Sequence, residues 1–209
     1  MTSKRRLLGL DRSGPPPEQT LSGQPLNPWT LPNGIGFLRL AGIPVFLVVA
    51  LSSRDGHSTA AAVLFALIGW GDYLDGLTAR VTGQYSRLGT LLDPIIDRLL
   101  VLSGMAVCWR FDLLPKWALA LVIAREVLVL ALSRYGMTHG VELRINWPGR
   151  LGVFPTMGAI FFALLDLHTV ALVLLYVGLG LALLATILYL RSGMAQARGA
   201  RDSKLSSSA

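Results

Sequence analysis

The sequence predicts an all-α protein, an integral membrane bundle of six transmembrane helices. Three observations carry this expectation. The 209 residues are 53% hydrophobic and only 15% charged, whereas charged residues make up about 25% of a soluble domain. Mean hydropathy is +0.56. The apolar residues fall in successive runs, several near the ~20 residues that span a ~30 Å hydrocarbon core. Backbone facing lipid must satisfy its own hydrogen bonds, so such runs are read as helices. This composition excludes disorder for the bulk of the chain. With Cys108 as the single cysteine, it also excludes an intrachain disulfide scaffold.

In chain order, residues 1–27 read as a flexible, basic, Pro-rich tail carrying Lys4, Arg5, Arg6, Arg12 and Pro15 to Pro17. No apolar run of signal-peptide length follows the basic cluster, so a cleaved secretory signal is not expected. Trp29 precedes the first long apolar run. It suits an interfacial aromatic anchor, the alternative being an ordinary loop tryptophan. Helices are expected over Gly34–Leu51, Ser58–Ala79, Leu88–Trp109, Trp117–Leu132, Leu151–Leu165 and Thr169–Leu190. The second and third reach spanning length only with their charged stretches, and the fifth is short. Six spans is therefore the best count, with five or seven as alternatives. Residues 28–190 form the membrane domain. Residues 191–209 read as a polar tail, loose from Gly193 onward.

Six spans place both termini on one side, and the basic residues then sort sharply. Thirteen of the 19 Lys and Arg fall on the side of the termini and of the loops after helices two and four. Arg54, Arg110 and Lys116 fall on the other. Arg39, Arg98 and Arg125 lie within apolar runs. The basic excess marks the cytoplasmic face of the cell membrane. Topology thus accounts for the net charge of +7, and no nucleic-acid partner is required.

Four of the 12 acidic residues, Asp72, Asp75, Asp93 and Asp97, fall on helices two and three. An aspartate at a bilayer centre costs about 2.5–3.5 kcal/mol, so four imply a polar site or bound cations. Their alternative role is to neutralise basic residues such as Arg80 and Arg98. Asp72, Asp75, Gly76 and Ala79 stand at i, i+3, i+4 and i+7, on one helix face. Gly89, Asp93 and Asp97 stand at i, i+4 and i+8 on the next. A short link makes the two helices antiparallel neighbours, so the acidic faces can meet. Residues 59–71 precede Asp72 and cover ~20 Å of the ~30 Å core. The cluster then lies about a third of the way in from the cytoplasmic surface.

Carboxylates without nearby His or Cys favour a hard cation, Mg²⁺ or Mn²⁺. Two such ions a few ångströms apart clamp a phosphoryl group for in-line displacement. Gly76, Ala79 and Gly89 clear space on the same faces for a base or phosphate, the alternative being close helix packing. Arg80 is placed to hold a diphosphate by charge-assisted hydrogen bonds. Ser86 and Arg87 share the link.

The stretch Asp72-Tyr-Leu-Asp75-Gly76-Leu-Thr-Ala79-Arg80, eight residues, then Gly89-Thr-Leu-Leu-Asp93-Pro-Ile-Ile-Asp97 resembles the signature of the CDP-alcohol phosphatidyltransferase family at eight positions in 26 residues. Leu31-Pro-Asn-Gly34 with Arg39 resembles the family's lead-in to its first span. Ile123-Ala-Arg-Glu126 resembles the fourth span of phosphatidylglycerophosphate synthases. The resemblance covers about residues 28–190. It implies a six-span membrane enzyme, often a homodimer, that takes CDP-diacylglycerol as donor and releases CMP. It implies that Asp72, Asp75, Asp93 and Asp97 hold two divalent ions and that Asp97 is the general base. It further implies that Gly76, Ala79, Arg80, Ser86 and Gly89 cradle the cytidine diphosphate, with Pro32 and Asn33 bordering the nucleotide.

Within the family the acceptor is an alcohol such as glycerol 3-phosphate, phosphatidylglycerol, inositol phosphate or serine, and the resemblance implies one of this kind here. Acidic acceptors need cations, and Arg125, Arg134, Arg144 and Arg150 are candidates. Topology charge is the alternative for Arg134 and Arg144, and a pair with Glu126 is the alternative for Arg125. Phosphatidylglycerophosphate synthases carry Gly-basic-x-basic at the start of the fifth span. Here it reads Gly149-Arg150-Leu151-Gly152, one cation short. Fourth-span resemblance favours glycerol 3-phosphate. The missing cation makes phosphatidylglycerol, and hence cardiolipin synthesis, the runner-up. A transporter would not need Gly76, Ala79 and Gly89 in register with the acids, and a non-catalytic nucleotide-lipid binder would not need Asp97.

Overall fold

The computed structural model describes residues 17–21, 23–138 and 147–206, with side chains at 130, 132–138, 147–151 and 189–206 outside that description. Among the described residues every regular element is a helix, without strands. A 3-10 turn at Glu18–Thr20 precedes six α-helices: α1 (Leu31–Leu51), α2 (Thr59–Thr82), α3 (Arg87–Arg110), α4 (Lys116–Thr138), α5 (Trp147–Leu164) and α6 (His168–Ser206). The chain divides into two compact units, Met1–Val107 and Cys108–Ala209.

In the first unit, α1 starts where Thr30 caps it, its hydroxyl accepting from Asn33 N at 3.4 Å, with Pro32 in the first turn. The buried residues Asn33, Gly36, Arg39, Ile43, Phe46 and Ala50 recur every three or four positions, one stripe of the helix. Helix α2 is capped by Ser58, whose hydroxyl accepts from Ala61 N at 3.2 Å. It ends at Gly83, where φ of +67° is the left-handed cap that glycine adopts without strain. Its own stripe is Ala61, Ala62, Phe65, Ile68, Gly71 and Asp75. Phe46 and Phe65 meet with ring centroids 5.4 Å apart. The apolar ends of both stripes form a core, so their polar ends, Asn33, Arg39 and Asp75, are carried inward together.

In the second unit, α5 and α6 pack along one another at a close approach. A Cβ at Gly178 would stand 2.7 Å from Thr156 Oγ1, and one at Gly152 would stand 3.4 Å from both Gly178 O and Ala182 N. Helix α4 meets α6 through Arg125, whose Nε donates to Thr186 Oγ1 at 3.2 Å. Trp117 stacks on Tyr176 with centroids 5.9 Å apart.

The six expected helices are present; α1, α2 and α5 differ from the expected bounds by up to four residues, and α4 and α6 differ more. Helix α4 runs to Thr138, six residues beyond the expected end. Helix α6 continues through Ser206, where a loose tail was expected. Polar sequence is not the same as non-helical sequence. Ala195, Gln196, Ala197, Arg198 and Ala200 are strong helix formers, and extending an existing helix needs no new nucleus. At 39 residues, α6 is about 58 Å long, close to twice the core thickness.

Among the described residues, three helices are long and apolar enough to cross a membrane: α1, α2 and residues His168–Leu188 of α6. Helix α3 is long enough but carries Asp93, Asp97 and Arg98, α4 carries Arg125 and Glu126 midway, and the apolar part of α5, Gly152–Leu164, is short.

Candidate active site

The start of α1 and the start of α3 are tied together. Ser86 precedes α3, and its hydroxyl accepts from Gly89 N at 2.9 Å, which caps the helix. The same hydroxyl donates to Asn33 Oδ1 at 2.8 Å. Asn33 Nδ2 donates to the carbonyls of Asn27 at 2.9 Å and Pro28 at 3.1 Å. Gln84 Oε1 accepts from Leu31 N at 3.0 Å, which adds a second bond between the link and α1. These bonds shape one cleft of about 80 Å³.

Asp75, Gly76 and Ala79 of α2 line that cleft, as do Ser86, Gly89 and Asp93 from the link and α3, and Pro32 and Asn33 of α1. Thr20, Gln84, Tyr85 and Thr90 complete the wall; sequence reasoning passed over these four. Arg80 lies over the same face, since a Cβ on Gly76 would stand 3.3 Å from its Nη1. Gly89 is a position of close approach: a Cβ there would stand 2.8 Å from Asn33 Oδ1 and 3.1 Å from Ser86 Oγ. A larger cavity of about 340 Å³ adjoins, sharing Gln84 and Tyr85 with the cleft and reaching Trp29 and Thr30. Its size falls in the ~300–1,000 Å³ range of small-molecule sites. Trp29 itself is 94% exposed.

Three of the four carboxylates gather on Arg39. Its guanidinium is 3% exposed, with Nη1 2.8 Å from Asp75 Oδ2 and 3.6 Å from Asp72 Oδ1, and Nη2 2.5 Å from Asp97 Oδ1. Its Nε donates to the carbonyl of Ile68 at 2.9 Å. Room for the side chain comes from Gly71, where a Cβ would stand 2.6 Å from Arg39 Cδ. Sequence reasoning named Arg39 as a family feature but did not pair it with the aspartates, and it missed Gly71. The available signal was an arginine inside an apolar run, which needs a partner in lipid.

Among the described residues, no three acidic, His or Cys side chains stand close enough to hold a metal ion, whereas a four-carboxylate cluster was expected. Asp75 and Asp97 each give one oxygen to Arg39. The expected donor set is nonetheless all carboxylate, drawn from two helices, with Asp72, Asp75 and Asp97 reaching the one guanidinium, and this chemistry fits a hard divalent ion.

Of the expected acceptor residues, Arg125 pairs with Glu126 and with Thr186 in the second unit. This is the pairing weighed as its alternative role. Arg144 lies outside the described residues, and Arg150 falls in the first turns of α5 with its side chain outside the description.

The described structure is all-helical with apolar helices long enough to cross a membrane, and comparison with known proteins supplies the class. The CDP-alcohol phosphatidyltransferase family profile matches residues 29–187, and the chain belongs to that family. It is 38% identical over 142 residues to a CMP-forming cardiolipin synthase of Streptomyces coelicolor, covering 66% of each chain. It is 30% identical over 149 residues to the CDP-diacylglycerol–glycerol-3-phosphate 3-phosphatidyltransferase of Bacillus subtilis, covering 66% of this chain and 77% of the relative. A probable phosphatidylglycerophosphate synthase of Mycobacterium tuberculosis is 30% identical over 179 residues, 82% of this chain and 85% of the relative. The chain thus spans about two thirds of the length of the Streptomyces relative and more of the other two.

Proposed function

We propose that this chain moves a phosphatidyl group from CDP-diacylglycerol to the hydroxyl of a glycerol-type acceptor, releasing CMP. The observation that carries this is the single cleft in which Asn33, Asp75, Gly76, Ser86, Gly89 and Asp93 meet. Small residues leave room for the nucleotide, and Arg80 over Gly76 supplies a cation to the diphosphate. Pro32 and Ala79 close the wall around it.

Asp72, Asp75, Asp93 and Asp97 would hold two Mg²⁺ or Mn²⁺ ions. When bound, these neutralise charge on the diphosphate and on the departing CMP. Asp97 takes the proton of the acceptor hydroxyl. The freed oxygen bonds to the phosphorus bearing the diacylglycerol, and the bond from that phosphorus to the CMP oxygen breaks. Positioning and electrostatics supply most of the acceleration in phosphoryl transfer. The two hydrogen bonds of Ser86 Oγ and the Arg39 contacts keep this constellation in register.

In this reading the chain crosses the cell membrane six times, as a homodimer, with the cleft and both termini on the cytoplasmic side. Residues 28–190 form the membrane domain and 1–27 and 191–209 the tails. The donor's acyl chains reach the cleft from the bilayer, and no nucleic acid is involved.

Glycerol 3-phosphate is the first acceptor in this reading. The match to the probable phosphatidylglycerophosphate synthase is the most extensive of the three, at 82% of this chain. Arg125, Arg144 and Arg150 would receive its phosphate. One observation favours phosphatidylglycerol instead. Gly152 stands where a second basic residue would bind a dianion, and its Cβ position lies 3.4 Å from the α6 backbone. A long side chain there would have to pass the α6 backbone. A phosphodiester carries one charge and needs less. Purified protein given CDP-diacylglycerol, Mg²⁺ and each acceptor in turn decides between them. Phosphatidylglycerophosphate supports the first reading and cardiolipin the second. A product from inositol phosphate alone, or no lipid product, overturns both.

A further inference from the structure

We propose that Arg39 is a positioning residue of the carboxylate cluster: one guanidinium holds Asp75 of α2 and Asp97 of α3, and it competes with divalent cations for the same carboxylates. The proposal rests on the reading above that these carboxylates take divalent ions.

Arg39 is held from three directions. Its Nε is fixed on the Ile68 carbonyl of α2 at 2.9 Å. Nη1 and Nη2 then point to Asp75 at 2.8 Å and Asp97 at 2.5 Å, with Asp72 at 3.6 Å. Gly71 lies beside the side-chain stem, where any Cβ would collide with it at 2.6 Å. A guanidinium is planar, permanently charged and forked, so it spans two carboxylates at a fixed separation. The two aspartates lie 36 and 58 residues from Arg39 in the chain, so this one side chain links three helices. Each of these carboxylates gives Arg39 one oxygen, and that oxygen's negative charge is then shared between the guanidinium and any cation the carboxylate binds. A fixed positive charge beside these carboxylates would also repel a dication held by them. The arrangement therefore trades cation affinity for geometry, and Asp93, which lines the cleft, completes the set.

The test is Mn²⁺ binding to the full-length chain in detergent, read by electron paramagnetic resonance of free Mn²⁺, alongside transferase turnover. Arg39→Gln is expected to bind Mn²⁺ about 10-fold more tightly than wild type, the scale of one charge removed beside a dication. Its turnover falls because the carboxylates lose their register. Arg39→Lys keeps the charge, holds the wild-type Mn²⁺ affinity and recovers part of the turnover. Gly71→Ala displaces the arginine without altering any charge. It is expected to tighten Mn²⁺ binding too, and it keeps the test decisive should Arg39→Gln fail to fold. Wild-type Mn²⁺ binding with unchanged or weaker affinity in both Arg39→Gln and Gly71→Ala overturns the proposal. Wild type that binds no Mn²⁺ overturns the divalent-ion reading as well, and this separates the two failures.

Discussion

Ser86 Oγ donates to Asn33 Oδ1 at 2.8 Å while accepting from Gly89 N at 2.9 Å, so one hydroxyl both starts α3 and ties it to the first turn of α1. The cleft depends on this latch, because Asn33, Ser86 and Gly89 all line it. Removing the hydroxyl leaves the buried Asn33 carbonyl oxygen without that donor and α3 without its cap. Ser86→Ala is expected to cost roughly 1–3 kcal/mol. That lowers the unfolding midpoint in detergent by several degrees and raises the apparent KM for CDP-diacylglycerol more than it lowers kcat. A variant as stable and as tight for donor as wild type contradicts the latch.

The two cleft glycines separate space from stability. At Gly76 an added methyl meets the far end of Arg80 at 3.3 Å, and that flexible tip can yield. Gly76→Ala is expected to fold normally and to lose donor binding by about tenfold or more, because the methyl fills the nucleotide's space. At Gly89 the methyl meets Asn33 Oδ1 at 2.8 Å and Ser86 Oγ at 3.1 Å. Gly89→Ala therefore disturbs the latch itself, and overpacking of this kind costs about 1–3 kcal/mol. Thermal melts and donor titrations of both variants check the contrast.

How much of this was legible in the sequence follows from the range of each interaction. Helical spacing is local, so the register of Asp72, Asp75, Gly76 and Ala79 with Gly89, Asp93 and Asp97 was readable, and most of these residues line one cleft. The contact of Arg39 with Asp97 joins residues 58 apart, and the latch of Ser86 with Asn33 joins residues 53 apart. No spacing rule reaches that far. Gly71 looks like any glycine in an apolar helix until the arginine stem beside it is seen. The C-terminal half of α6 was missed because polarity was read as looseness, although its alanine-rich stretch favours helix.

Asp97 is the base in the proposed reaction. Asp97→Asn keeps the shape of the side chain and an oxygen able to accept from Arg39, but it cannot take a proton at neutral pH. Turnover is expected to fall by about 10²–10⁴, the usual contribution of a positioned base, while CDP-diacylglycerol still binds within a few-fold of wild type. Single-turnover CMP release and a donor-binding titration read the two quantities separately. A variant with full activity refutes the assignment.

Divalent cations are expected to be required. Chelation with EDTA should abolish CMP release, and Mg²⁺ or Mn²⁺ should restore it, as all-carboxylate donors prefer hard ions. Full activity after exhaustive chelation contradicts the roles given to Asp72, Asp75, Asp93 and Asp97.

The central claim is that the cleft between α1, α2 and α3 receives the nucleotide end of CDP-diacylglycerol. Acceptor-dependent release of CMP from CDP-diacylglycerol by the purified chain, wild type beside Asp93→Asn, tests it most directly. The account predicts release by wild type that needs both Mg²⁺ and an acceptor, and at least a hundredfold loss in Asp93→Asn, which changes a carboxylate at the wall of the cleft and leaves the Arg39 contacts in place. No release by wild type, or undiminished release by Asp93→Asn, would contradict it.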